Sequence, residues 1–547
     1  MPTESAACNH LLISNHQPFT PTLKPLVVTR GKSGSIDSPG IATHNAGPMS
    51  HDYTHPRSRF SGPLSPAHGF MLAVSLYFLL HFIIRVSFSD SLEMDEAEQF
   101  LFSQWLDWGY SSQPPLYTWI QQIGFLWLGH SVAALALIKN LGLCVLYGMT
   151  FLLARRVLGD ETRAILAALS LLLMPPIAWE ASRDLTHTIL VACWVPASIL
   201  IVLQLLERKT LRAYCLLGLV LALGLLSKYN YSLHIAVLLL ALVSLAEGRR
   251  VIFDRRMLLT LLIVGAMYGP HGLWMLEHRA VLASGLDKLG QSRGHDVSAL
   301  WKLGGAALAY IAPFFVLAGL ILHTRKGEGR EPTVNPGSPL LSRYWLVLIL
   351  VLLVAVWFID AGRMRTRWLF PFMTLIPIWL FTHIPLRNLN PLRHKIYLGA
   401  VGLAASIILG LMLLRIPGAV WTQKPTDLNL PFSRYAERLR EAGFDHGLIV
   451  AYNAHLAGNL LYQFSGKALV LTPHLVFPIP ADYQTQPMLV FWDTEKTDAV
   501  PPKLQAFVQE KLGQDISAVS PAYLQEPYRY SDTRVAKMGY ILLPGRL

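Results

Sequence analysis

Four carboxylates crowd into six residues of this chain. Glu93, Asp95, Glu96 and Glu98 stand in the run Glu-Met-Asp-Glu-Ala-Glu, just beyond a hydrophobic stretch. Like charges at this spacing raise one another's pKa, more so where water is partly excluded, and a carboxylate tuned in this way can act as a general base. Next come Trp105, Trp108, Gly109-Tyr110 and then Gln113-Pro114-Pro115-Leu116. The stretch 97–106 is amphipathic, with Phe100, Leu101, Trp105 and Leu106 available to lie on a membrane surface. Gly109-Tyr110 ends it, and the prolines suit the first turn of a following helix. Surface helices holding acidic groups over a cavity are one reading of this loop. A solvated acidic loop whose carboxylates cap helices is the other.

The elements that must position this loop are hydrophobic. Of the 547 residues 53% are hydrophobic and 15% charged, where a soluble protein carries about a quarter charged residues. Eleven apolar segments are expected, near 69–89, 132–154, 163–179, 186–206, 212–227, 231–246, 257–275, 302–322, 344–360, 367–383 and 396–416. A soluble globular enzyme is therefore excluded, and an all-α polytopic membrane domain is expected. With a cytoplasmic amino terminus, 17 basic residues fall in the inside loops, from Arg155-Arg156 to Arg393 and Lys395, and none in residues 90–130. Such asymmetry orients membrane proteins and places the acidic loop and the carboxy terminus outside. The formal net charge of +12 belongs to these loops, and no contiguous basic patch points to nucleic acid.

Residues 1–62 are rich in Ser, Pro, His and Gly without periodicity and are expected to be a disordered extension, with Met49 or Met71 as alternative starts. Residues 63–416 form the transmembrane unit, with 90–130 as its outer loop. Residues 417–547 return to soluble composition and read as a small α/β domain: a helix at 433–443 capped by Ser433, an apolar run at 448–452, a helix at 454–464, strands at 468–472 and 488–492, and a helix at 502–512. No nucleotide-binding glycine pattern occurs in it. Cys144, Cys193 and Cys215 lie in hydrophobic runs, and none of the four cysteines has metal-ligand spacing. No cofactor is implied, and the spacing of His187, His271 and His278 does not compel a metal.

Asp95-Glu96-Ala97, Gly109-Tyr110 and Gln113-Pro114-Pro115-Leu116, in this order and spacing, resemble the first-loop signature of family 39/83 glycosyltransferases. This bacterial protein-mannosyltransferase-like group includes lipid A aminoarabinose and galacturonic acid transferases. The resemblance covers residues 70–416 in topology and extends weakly into the outer domain. It implies a GT-C fold in the bacterial inner membrane, a polyprenyl-phosphate sugar as donor and inversion at the anomeric centre. It also implies that Asp95 serves as base or acceptor-orienting group, with Glu96 beside it. One departure is neutral Gln113, where the family often has a charged residue before Pro-Pro. That departure, with Tyr110 in the same loop, bears on the acceptor: glycolipid, lipopolysaccharide, other polysaccharide or protein.

A departing lipid phosphate needs cations, and Lys or Arg supply them where no metal motif exists. Asp184, after Arg183, resembles the family's second aspartate. Lys228 resembles its lysine after the fifth helix, and Arg363, Arg365 and Arg367 with Trp368 resemble its basic-aromatic stretch. Each has an ordinary alternative. Arg183 and Asp184 could pair, Lys228 could snorkel to the interface, and the arginines could hold anionic lipid head groups. Lys139, Arg85 and His81 lie inside hydrophobic segments, where a charge marks function or an internal pair. A transporter or flippase of lipid-linked sugars would account for the helices and cations, but not for a soluble outer domain or the acidic loop. A non-catalytic scaffold would not need charge gathered at one membrane face.

Overall fold

The computed structural model describes residues 65–545, apart from 112, 280, 282, 284–297, 323–337, 356–365, 385–390, 474, 476–478, 484, 495–497 and 532. The expected extension at 1–62, Cys8 and the alternative start at Met49 fall outside the described residues.

Helix α1 spans Pro66–Phe88, with Pro66 in its first turn and the Ser65 hydroxyl capping the His68 amide. Its large outward side chains are apolar: Leu72, Leu76, Leu79, Leu80 and Ile83 are each close to half exposed. Such a row is unfavourable in water and at home in lipid. Five described helices are long and apolar enough to cross a membrane: α1, Val132–Leu158, Thr186–Glu207, Met257–Glu277 and Pro391–Leu414. A sixth candidate is the pair Glu161–Leu173 and Pro176–Arg183, bent by 79°. Proline explains this break, because Pro175 and Pro176 have no amide hydrogens to continue the ladder. Shorter apolar helices occupy Leu211–Ser227, Tyr231–Val243, Ala307–Leu322, Pro339–Val354 and Phe370–Phe381. The chain is a multi-pass membrane protein, and the described part of each expected apolar segment meets one of these helices or the bent pair, residues 356–360 of the segment 344–360 lying outside the described residues.

Between α1 and the next long helix lie α2 (Met94–Phe102) and α3 (Leu116–Leu128), followed by α4 (Val132–Leu158). The amphipathic stretch behaves differently from expectation. Helix α2 starts at Met94 and stops at Phe102, and its apolar face is buried in protein. Phe100 packs on Phe125 and Tyr462, while Leu101 and Phe102 join the core of the carboxy-terminal domain. Of the expected surface residues Leu106 alone is left largely exposed, with Trp108 after it and with Ile123, Leu126 and Trp127 of α3.

The carboxy-terminal domain contains a five-stranded sheet in the order β2-β1-β3-β5-β4. Strands β1 (Gly447–Ala451), β2 (Ala468–Leu471) and β3 (Met488–Asp493) are parallel. Strands β4 (Ala522–Pro527) and β5 (Val535–Leu543) extend the sheet antiparallel. The helices Phe432–Glu441 and Ala454–Gln463 cover one face, and Pro502–Leu512 covers the other. The first of these begins before Ser433, with Pro431 at its cap position, so Ser433 lies within its first turn.

Helix Ala454–Gln463 joins this domain to the acidic loop. Gly458 makes the approach possible, since a Cβ there would collide with the Ala97 carbonyl of α2. Asn459 receives the Leu92 amide at 2.8 Å, and His455 Nε2 donates to the Leu92 carbonyl at 2.8 Å. The α/β domain thus seats directly on the amino-terminal end of α2.

Candidate active site

The four carboxylates of the acidic loop do not act together. Glu93 and Glu96 form a reciprocal capping box at the start of α2, with Glu96 Oε2 accepting from the Glu93 amide at 3.0 Å. Glu93 also pairs with Arg415 at the end of the last long helix. Glu96, 3% exposed, pairs with Arg85 at 2.6 Å and Lys139 at 3.7 Å. The same guanidinium donates to the Ser89 and Ser91 carbonyls, at 2.8 and 2.7 Å. Burial alone would raise the Glu96 pKa, but Arg85 and Lys139 outweigh it and hold the carboxyl at about 2. Mutual raising therefore fails for Glu96, because its neighbours in space are cations. The charges of Arg85 and Lys139 inside hydrophobic segments are explained as an internal network that fixes α2 against α1 and α4.

Asp95 points elsewhere. It is half-buried, and its Oδ2 accepts from the Thr186 amide at 3.1 Å and from the Thr186 hydroxyl at 3.2 Å. Thr186 opens the helix Thr186–Glu207, whose positive end faces this carboxylate. Asp184 lies in hydrogen-bonding contact with Asp95. Burial and then the Asp95 charge push the Asp184 carboxyl up to about 8, so it keeps its proton at neutral pH beside an anionic partner. Its Oδ1 is buried with no protein hydrogen-bond partner. Between Asp184 and Thr186, Leu185 takes the left-handed backbone conformation, with φ 69°. A branched residue seldom adopts this geometry, and it costs of order 1–3 kcal/mol. The turn it makes directs both neighbours at Asp95.

Lys228 caps the carboxy terminus of helix Leu211–Ser227, and its ammonium donates to the Thr188 hydroxyl at 2.6 Å. It does not snorkel outward. Burial lowers its pKa against the opposing charge of Asp95, and with smaller contributions from Arg367, which lowers it, and Asp184, which raises it, the ammonium settles at about 8. Arg367 sits in the short turn Thr366–Trp368, tied to the Lys228 loop by a 3.3 Å hydrogen bond from Asn230 to the Trp368 carbonyl. Arg363 and Arg365 lie outside the described residues.

The structure thus brings Asp95, Asp184, Lys228 and Arg367 into one electrostatic neighbourhood, and it leaves Arg183 out. Among the described residues Arg183 makes no ion pair with Asp184. Its guanidinium lies over the Trp179 ring at 5.7 Å, and its carbonyl receives Lys139 at 2.8 Å. Tyr110 is buried on Phe102, its hydroxyl accepts from the Asp107 amide at 3.0 Å, and burial lifts its pKa to about 12. It braces the loop from within. Gln113 is half-exposed before α3, its amide bonded to Ser111 Oγ at 3.2 Å. Gly109 has no room for a side chain, because the Trp274 ring rests against it.

Several neighbours escape a reading by residue type. Thr186 and Thr188 hold Asp95 and Lys228, and the Tyr117 hydroxyl has its pKa raised by burial first and then by the charges of Asp95, Glu96 and Asp184 nearby. Uncharged residues at a helix start carry no distinguishing pattern. His187 donates to the Ser227 carbonyl at 3.3 Å, which leaves Nε2 to receive the Gln99 amide at 3.4 Å. His271 donates to the Trp108 carbonyl and His278 to the Trp274 carbonyl, so the three histidines serve separate backbone contacts.

Two aspartates in contact, one of them holding its proton, near a half-buried lysine and an arginine suit a group transfer in which a hydroxyl loses a proton and an anion departs. The membrane architecture is that of a known enzyme class. A solved structure of ArnT from Cupriavidus metallidurans bound to undecaprenyl phosphate superposes with a TM-score of 0.56, at 12% identity, over 86% of this chain and 98% of that one. Its apo form gives 0.55. The dolichyl-phosphate-mannose-protein mannosyltransferase family model matches residues 112–274. Two Rhizobium johnstonii proteins align over most of the chain. The lipopolysaccharide core galacturonosyltransferase RgtB is 32% identical over 84% of this chain and 93% of its own length. The lipopolysaccharide core galacturonosyltransferase RgtA is 30% identical over 83% and 93%. The chain belongs to the GT-C glycosyltransferases of the family 39/83 group. It is a glycosyltransferase, and the flippase reading gives way.

Proposed function

We propose that this enzyme moves a sugar from a polyprenyl phosphate to a lipopolysaccharide-type acceptor at the outer face of the inner membrane, with inversion. Eleven spanning segments and a periplasmic α/β domain complete this reading, in line with the basic inside loops and the absence of Lys and Arg from residues 90–130. The two Rhizobium relatives favour a galacturonic acid as the sugar and a core saccharide as the acceptor.

The observation that carries the proposal is the meeting of Asp95 and Asp184 with Lys228 and Arg367. Asp95 takes the proton of the acceptor hydroxyl as its oxygen attacks the anomeric carbon. The bond to phosphate oxygen breaks on the opposite side, and the polyprenyl phosphate leaves as an anion toward Lys228 and Arg367. Asp184 keeps its proton and so leaves a single negative charge at the base. Glu96 acts at one remove, orienting α2. Arg365, Tyr110 and Gln113 belong to the same proposal as a second phosphate contact and as loop elements on the acceptor side.

Purified protein given a polyprenyl-phosphate sugar and acceptor should release free polyprenyl phosphate. Asp95→Asn should lower that rate by about 10²–10⁴-fold with expression intact. Undiminished turnover would remove Asp95 as the base.

A further inference from the structure

The α/β domain has a crevice of about 370 Å³ that the transfer chemistry does not use. Its position follows from topology. From β1 the chain enters helix Ala454–Gln463 on one face of the sheet and returns as β2; from β3 it enters helix Pro502–Leu512 on the other face. The carboxyl ends of β1 and β3 therefore diverge, and between them lies the switch point where open parallel sheets bind ligands. Asn453 follows β1, Asp493 ends β3, and Thr494 comes next; all three line the crevice. Asp427 and Tyr528 line it from the other side.

The lining selects a ligand. Asp427 and Asp493 make no ion pair among the described residues, and an anion would meet both carboxylates. The helix start following β1 offers no open phosphate site, because the Asn453 side chain accepts the Leu456 amide at 2.9 Å. Lys537 is turned to Asp498 at 2.7 Å and to the Tyr523 ring at 4.4 Å. Among the described residues no cluster of metal-binding side chains occurs. What remains is a set of acceptors for hydroxyl groups, an amide, a threonine and an aromatic ring, in a volume at the small-ligand end of binding pockets, about 300–1,000 Å³. That chemistry fits an uncharged saccharide.

The crevice is also mechanically continuous with the catalytic loop. His455 in its wall donates to the Leu92 carbonyl, three residues before Asp95. Leu430, also in the wall, takes the Ser91 hydroxyl on its carbonyl at 2.5 Å.

We propose that this crevice is an acceptor subsite, holding a neutral sugar of the glycan whose hydroxyl is glycosylated near Asp95. The proposal rests on the transferase reading for its role, although not for its binding. The test uses the full chain in lipid nanodiscs, with methyl glycosides of glucose, galactose and mannose, methyl galacturonide, and core oligosaccharide released from lipopolysaccharide. Binding is followed by saturation-transfer NMR and calorimetry. At least one neutral glycoside and the core oligosaccharide should bind, at least tenfold more weakly in Asp493→Ala and in Asp427→Ala. Glu510→Gln, on the exposed face of helix Pro502–Leu512, should bind as the wild type does. The acceptor KM in the transfer assay should rise with the same two substitutions.

No binding to the wild type, equal binding in the two crevice variants, or preference for the galacturonide would overturn the subsite. Donor cleavage that ignores Asp95→Asn would remove the transferase reading and leave saccharide binding standing. Cleavage that needs Asp95, with no crevice-dependent binding, would remove the subsite and leave the transferase reading standing.

Discussion

Lys228 and Asp184 change charge in the same range, and the electrostatic consequences add. Lysine is cationic below its pKa and a carboxyl neutral below its own, so raising the pH through about 8 removes a positive charge at Lys228 and adds a negative one at Asp184. Both changes repel a phosphate. Donor kcat/KM, which reports the free enzyme, should therefore fall above about pH 8. Lys228→Arg keeps its charge at all working pH values, so the fall should become shallower and move upward. A profile that stays level between about pH 7 and about pH 9.5, or is unaltered by the arginine, would mean that Lys228 does not face the phosphate. Lys228 stood out in the sequence as a cation on the outward side of an apolar background, whereas Asp95 and Asp184 were singled out by their likeness to the family's two aspartates. Thr186 and Thr188 were not, since hydroxyls at a helix start are ordinary and only their contacts distinguish them. The role of Glu96 was hidden for a related reason: its cations lie 11 residues before it and 43 after it, at Arg85 and Lys139.

At the level of elements, α2 is held at its start by the capping box and from the membrane side by the Arg85–Glu96–Lys139 network. Removing one partner of a buried ion pair leaves an uncompensated charge and costs about 3–5 kcal/mol. Arg85→Met should accordingly lower thermal stability strongly and reduce turnover, because α2 loses its orientation. Adding Glu96→Gln should recover part of the loss, with a coupling of about 0.5–3 kcal/mol between the two sites, read from unfolding of the single and double variants. Strictly additive losses would show that the pair does not hold the helix. The hydrophobic segments were readable one by one, as were the positions along the chain of the first three strands, though not their order in the sheet. The burial of α2 was not, because an amphipathic helix looks the same whether its apolar face meets lipid or protein. Strands β4 and β5 escaped notice because β4 alternates exposed and buried residues around polar Gln525 and Glu526, and β5 carries Lys537 and Gly539 within its run.

Across the whole molecule, the sheet domain is a working part of the loop it covers. Its helix Ala454–Gln463 reaches α2 through the gap that Gly458 leaves beside Ala97. Gly458→Val should keep the domain from seating while leaving the membrane helices in place. Turnover should fall at least tenfold, amide exchange in α2 should quicken, and insertion should be normal. Wild-type turnover in that variant would mean that the domain is an appendage.

The two threonines of the helix Thr186–Glu207 have a mechanical consequence. They sit two residues apart in a single turn, one bonded to Asp95 and the other to Lys228. The interval between Asp95 and Lys228 is therefore set by the pitch of one turn, as a fixed spacer sets the jaws of a gauge. Long helices tilt when a bilayer thins or thickens, but a spacing held within one turn does not stretch with them. On the proposed mechanism, the base and the cation are thereby insulated from the mechanics of the membrane that surrounds them.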